Sequence, residues 1–469
     1  MIRAPFVLAV AFASAALSSV AQSVPAAPAS YQLPEAKRVK LPNGLVLLLL
    51  EKHELPLTSV TLALRTGALL DPAGKPGVSA ITAELLRKGT TTESSEQVST
   101  AIDFIGMQFA SSGAESEGTS LAADFLAKDT DKALGLMADV ALHPVFPEEE
   151  LKKTIAQRKE RLKTEKDDLQ GTASRYFLAT LYAGHPYSYG LQATGATLDT
   201  ITRQDITAFY QRVYTPPNAV IAVVGDFKAA EMESRLRTLF GGWKGVAPEP
   251  VKVPVQRPVT GRHVLVVDKP DATQSYFVIG NVGLSEVDPD RAPAHVVNTL
   301  FGGRFSSMFN EELRIKSGFS YGASSRFTEL RTPGPFVMAT FTRNATTGPA
   351  IDRSFEVLDR LHTHPFGEGD LTSAKNYLRG NFPPTLETSP ALARRLAMDE
   401  VDGISRAEFN GELAREQATT LAEANRVIDK DFPLRENYVL VIVGKASEVG
   451  PLAAKYGTVT TKKITDPAY

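Results

Sequence analysis

The chain has no cysteine and one tryptophan in 469 residues. Without cysteine there are no disulfides, no thiolate metal sites and no cysteine nucleophile. Charge of one sign is also lacking. Lysine and arginine number 51 against 53 aspartate and glutamate, interspersed, for a net charge of -2. Such balance argues against nucleic acid as a partner. No apolar run approaches the roughly 20 residues that a membrane-spanning helix needs. Histidine is scarce: His53, His143, His185, His263, His295, His362 and His364. None forms His-Glu-x-x-His or its inverse, and neither a phosphate-binding loop nor a nucleophile elbow is expected.

The N-terminus carries the first positive pattern. Arg3 precedes an apolar stretch from Phe6 to Leu17, and Ser19-Val20-Ala21 offers small residues for cleavage. This predicts a secretory signal peptide over residues 1–21, the other reading being an uncleaved membrane anchor. Residues 22–34, including VPAAPAS, read as a flexible segment. The expectation is an exported chain with no stable membrane span after cleavage, located in the periplasm.

The chain then repeats itself. NAVIAVVG (218–225) recurs as NYVLVIVG (437–444), about 219 residues later, and HPVFPEEEL (143–151) recurs loosely as HPFGEGDL (364–371). Two matches at nearly one offset predict a duplicated unit. Each unit opens on β-rich runs: LVLLLLE and SVTLALRTG in the first, HVLVVD and SYFVIGNVG in the second. Helical stretches follow at 94–106, 152–168 and 407–428, and each unit closes on an apolar strand. No βαβ glycine fingerprint is present. The expected class is α+β, with two homologous lobes of about 220 residues, largely antiparallel sheets and a clamshell-like arrangement. The expected boundaries are 35–244 and 262–469, joined by the Pro-rich segment 245–261 as a semi-extended, movable linker.

Candidate chemistry is sparse. His362-Thr-His364 has the spacing that puts two rings on one face of a strand, so it reads as a metal pair or as a loop before Pro365. His295, in RAPAHVVNTL, reads as a helix histidine near a core face, with no partner in its own turn. GVSAITAELLRKGT (77–90) reads as a mostly buried helix bearing one carboxylate, Glu84. These residues supply no complete catalytic set.

Several stretches together resemble the pitrilysin–insulinase family of zinc peptidases, which includes the mitochondrial processing peptidases. They are residues 41–72, 77–90, HPYSYGLQATGATLDTITRQDITAFYQRVYTPPNAVIAVVGDF (185–227), DKPDATQS (268–275) and FGGRFSSMFNEELRIKSGFSYGASS (301–325). The resemblance runs from about residue 35 to 465. Active members carry His-x-x-Glu-His immediately before the Lys-Gly-Thr found here at 88–90. Their two histidines bind zinc and the glutamate activates water. The resemblance places those histidines at Ala80 and Glu84, the base at Ala83, and the third ligand at Arg161, with Glu160 beside it. Glu84 and Glu160 make at most a weak two-oxygen site. No metal or other cofactor is therefore expected in this chain.

The second unit differs. The family carries an Arg and a Tyr seven residues apart that hold substrate at the zinc of the first lobe. Here these are Arg314 and Tyr321, in NEELRIKSGFSYG. Residues 311–316 read as a helix end, Gly318 as its left-handed terminator, and Ser320-Tyr321 as a strand start. The resemblance implies a non-catalytic Arg/Tyr subunit that contributes to a shared site with a homologous His-x-x-Glu-His partner. Zinc is expected in that partner, and unstructured peptides are the expected substrate. The other reading is a catalytically inactive scaffold or peptide-binding protein of the same fold. The remaining alternative is a lone chain with an unrecognised activity through His362 and His364.

Overall fold

The computed structural model describes residues 32–113 and 117–469. The expected signal peptide and residues 22–31 of the flexible segment lie outside the described residues. The first sheet is built from β1 (Lys37–Lys40), β2 (Val46–Glu51), β3 (Leu57–Arg65), β4 (Gln108–Gly113), β5 (Gly118–Leu126) and β6 (Ala219–Gly225). The second comprises β7 (Arg262–Asp268), β8 (Gln274–Val282), β9 (Ala323–Phe327), β10 (Pro335–Arg343), β11 (Tyr438–Gly444) and β12 (Thr458–Lys463). The sheet orders are β1-β2-β6-β3-β5-β4 and β12-β7-β11-β8-β10-β9.

Five strands of each sheet are equivalent. The two repeated apolar segments become β6 and β11, each buried along its whole length. A strand covered on both faces reads as a continuous apolar run, which is what these sequences show. β6 runs parallel to β2 and antiparallel to β3, and β11 runs parallel to β7 and antiparallel to β8. Most other pairings are antiparallel, so the α+β expectation holds. The sheets differ only at one edge, closed by β1 from before β2 in the first and by the late, parallel β12 in the second.

The covering layers do not follow the sequence halves. Helix Leu169–Leu181, from the first half, packs on β8 and β11 of the second sheet. Helix Ser389–Asp402, about 220 residues later, packs on β3 and β6 of the first. Tyr176, Phe177 and Leu181 accordingly share one apolar cluster with Val278, Val439 and Val441. Residues 32–469 form one compact unit as a result.

Local expectations meet three corrections. The stretch 407–428 is two helices, Arg406–Ala418 and Leu421–Asp431, because Thr420 caps the second by a reciprocal box with Glu423. Segment 245–261 has no regular secondary structure but is tied down rather than loose. The Pro254 carbonyl accepts from His185 Nε2 at 2.8 Å, and the Val259 amide donates to Asn281 Oδ1 at 2.9 Å. The described end of the flexible segment is also anchored. Leu33 is buried, its amide donates to Asn410 Oδ1 at 2.7 Å, and its carbonyl accepts from Arg406 Nε at 2.7 Å. No helix among the described residues is long and apolar enough to cross a membrane.

Candidate functional site

The predicted helix at 77–90 is shorter than read, spanning Val78–Leu85. Gly77 and Gly89 both have positive φ and bracket it. Asp71 fixes its start: Oδ2 accepts from the Gly77 amide and Oδ1 from the Ser79 amide, both at 2.7 Å. These bonds satisfy orphan donors of the first turn. Burial pushes the Asp71 carboxyl up to about 6, against the opposing pull of those two amides.

Ala83 lies buried in this helix, while Ala80 and Glu84 face a cavity. Glu84 is not a free carboxylate. Its two oxygens take a fork from Arg158, with Nη2 at 2.7 Å and Nε at 3.3 Å. Arg161 Nη1 adds a third contact at 3.3 Å. Both arginines come from helix Glu148–Thr164. The two-oxygen site with Glu160 does not form: that carboxylate pairs with Lys163 at 2.7 Å on an exposed face. Arg158 is the residue that sequence reading missed. Its signal was modest, a cation one turn before Arg161 on a highly charged helix.

The cavity has a volume of about 510 Å³. Its first wall holds Asp71, Glu84, Arg158 and Arg161, and its opposite wall comes from the second sheet, including Val278, Arg326 and Val337. Ser111 and Ser112 of β4 also line it. That strand pairs only with β5 and so presents an unpaired edge among the described strands.

Arg314 and Tyr321 lie elsewhere and line no part of this cavity. Residues Glu311–Lys316 form a π-helical turn, and Gly318 at φ 62° ends it, as read. Regular strand starts later than predicted, at Ala323. The Ser320 hydroxyl donates to the Gly322 carbonyl and accepts from the Gly322 amide, so these groups are taken from the ladder. Arg314 Nη1 donates to the Tyr321 carbonyl at 2.8 Å, and its guanidinium stacks 4.7 Å from the Phe305 ring centre. Tyr321 is 78% exposed and Phe305 65%. The pair is thus held together by its own backbone and presented outward.

Gly318 to Gly322 does spell Gly-x-Ser-x-Gly, against the expectation of no such elbow. Its context is a helical turn entering a strand, the reverse of a nucleophile elbow. Ser320 is buried, bonded to Gly322 and Thr340, with no histidine partner. His362 and His364 form no pair either: their Nε2 atoms go to the Pro433 carbonyl and to Asp429, respectively.

With this arrangement in hand, two family models match the chain. "Insulinase (Peptidase family M16)" covers residues 46–195, and "Peptidase M16 inactive domain" covers residues 200–378. The chain belongs to the insulinase family, peptidase family M16. An uncharacterized zinc protease of Mycobacterium leprae is 26% identical over 369 residues, 78% of this chain and 82% of that protein. One of Streptomyces coelicolor is 25% identical over 377 residues, 79% and 80% of the two chains. Among solved structures, a peptidase M16 inactive domain from Pseudomonas fluorescens superposes with a TM-score of 0.79 at 22% identity, covering 88% of this chain and 98% of that one. A protease from Helicobacter pylori gives 0.79 at 20% identity, covering 88% and 100%. These two likenesses establish the two-lobed M16 fold.

The zinc that the family name implies does not fit the residues at this position. Alanine at 80 and 83 offers no donor and no base. The one carboxylate, Glu84, is neutralised by two guanidinium groups where a dication would have to sit. Where the resemblance places a ligand set, this chain has the Glu84–Arg158–Arg161 ion cluster.

Proposed function

We propose that this chain is an exported subunit, zinc-free at its peptidase position, of a heterodimeric zinc metalloendopeptidase that degrades or processes peptides. Its partner is a homologous His-x-x-Glu-His chain that carries the zinc, and the site is shared in the periplasm. One observation carries the reading: the zinc position holds the Glu84–Arg158–Arg161 cluster, while the Arg314/Tyr321 pair is intact, preorganised and exposed. Arg314 serves as a cationic fork for a substrate backbone carbonyl, and Tyr321 donates to the oxyanion that develops at the scissile carbonyl. An outward-facing pair suits a site completed by another chain. A second reading, a scaffold or peptide-binding protein, draws support from the cavity and the free edge of β4, which suits strand addition by an extended peptide.

The test is cleavage of a quenched unstructured peptide by this chain, by the zinc-motif partner, and by the mixture, with zinc supplied. Activity is expected only in the mixture. Tyr321→Phe should lower it by roughly 100-fold or more, the usual cost of one oxyanion donor. Arg314→Ala should lower it too, with assembly intact because both side chains are exposed. Fully active variants would refute the shared site, and no gain on mixing would favour the binding reading.

A further inference from the structure

The ligand set absent from the first lobe has a counterpart of different composition in the second. Helix Arg291–Asn298 presents His295 toward helix Arg406–Ala418, which bears Glu412 and Glu416 one turn apart. Positions i and i+4 share a helix face. The His295 Nδ1 atom lies 3.2 Å from a Glu416 oxygen and 3.7 Å from a Glu412 oxygen. One ligand atom from each of the three residues falls within 4.8 Å of the others. On its far side, His295 Nε2 meets Glu329 at 2.6 Å. Glu329 and Glu412 are each held by Arg291, at 2.8 and 2.9 Å.

We propose that His295, Glu412 and Glu416 bind a divalent cation of the zinc class. Three features support this. Metal–ligand bonds of about 2.0–2.1 Å in a tetrahedral site put neighbouring ligand atoms about 3.3 Å apart, and the two observed separations bracket that spacing. Glu329 holds the distal Nε2–H, as in carboxylate–histidine–metal triads, while in the metal-free chain the Nδ1–H donates to Glu416, so a cation bound there would take the place of that proton. Charge gives the third. Three carboxylates face the Arg291 guanidinium and the His295 imidazolium, so one negative charge is left over in the metal-free chain and two once a dication displaces the Nδ1 proton. One imidazole with two carboxylates suits zinc better than calcium or magnesium, which prefer all-oxygen shells. The His295 side chain is partly exposed, which leaves a solvent path to the site. The site ties two helices of the second lobe together and shares no residue with the Arg314/Tyr321 pair. Its role is therefore separable from the shared-site reading above.

The experiment is zinc binding by the purified full chain, in competition with a colorimetric chelator, for wild type, His295→Gln and Glu416→Gln. One equivalent is expected in wild type, with affinity falling at least 10-fold in each variant that circular dichroism shows to be folded. Zinc K-edge absorption on the wild-type chain gives a readout independent of the variants. One imidazole nitrogen plus oxygens in the first shell is the expected result. No zinc uptake by wild type, uptake unchanged in the variants, or a shell without imidazole would each overturn the site and leave a metal-free ion network.

Discussion

Glu84 shows how the role of one side chain depends on what stands opposite it. Where the resemblance places a metal-binding histidine, this chain has a carboxylate that is useful only because Arg158 and Arg161 stand opposite. A forked arginine–carboxylate pair in a partly buried site is stronger than an ordinary surface ion pair. Removing its charge leaves two cations facing each other. Glu84→Gln should cost about 1 kcal/mol in urea unfolding at neutral pH, and less in high salt because screening weakens the pair. Unchanged stability would mean that the cluster is held by packing alone. A cation, Arg161, at the position where the resemblance places the third ligand was legible in the sequence. Arg158, which makes the shorter contact, was not, because nothing in the residue order says which turn of helix Glu148–Thr164 faces Glu84.

At the scale of elements, helix Arg291–Asn298 is fastened by its own N-cap residue. Asp290 makes no capping bond to that helix. It reaches instead to Arg426 at 2.6 Å and Lys430 at 2.5 Å, both on helix Leu421–Asp431. The hydrogen bond from Arg426 is the largest influence; burial opposes it, the bond from Lys430 adds to it, and the Asp290 carboxyl is lowered to about 2. A carboxyl depressed in the folded state adds stability above its unfolded value near 4, and that stability is lost as pH falls through about 2. Asp290→Asn should therefore cost about 1 kcal/mol at pH 7, after discounting for its half-exposed partners. The gap to wild type should shrink below pH 4. Denaturant titrations at pH 7 and pH 3 check this, and an equal gap at both would remove the electrostatic account. The break between helices Arg406–Ala418 and Leu421–Asp431 belongs to the same scale. It was readable in principle from Thr420 and Glu423, a capping pair hidden inside a continuous helical pattern.

At the scale of the molecule, the exchanged helices make the two sheets interdependent. Gly280 on β8 lies under helix Leu169–Leu181. A Cβ there would stand 2.0 Å from the Phe336 carbonyl oxygen and 2.9 Å from the Phe177 ring. Gly280→Ala should destabilise by at least 2 kcal/mol, as overpacking does when a backbone must move. Trp243, the single tryptophan, sits in the apolar cluster of the first sheet. If the halves unfold together, its fluorescence transition should shift to lower denaturant in step with circular dichroism, although the substitution lies in the other half. A tryptophan transition that stays in place would show two independent folding units.

The sequence by itself determined the duplication, the α+β class and the family. Each of these rests on residue type and spacing along the chain, such as the apolar runs repeated at one offset. Only the tertiary structure decided what faces what. It crossed helix Leu169–Leu181 onto the second sheet, put Arg158 on Glu84, and gave His295 three carboxylates from distant segments. The physical reason is the same in each case. Local spacing fixes which residues share a face of one element, whereas partners on other elements are set by how the apolar faces of the whole chain are buried together.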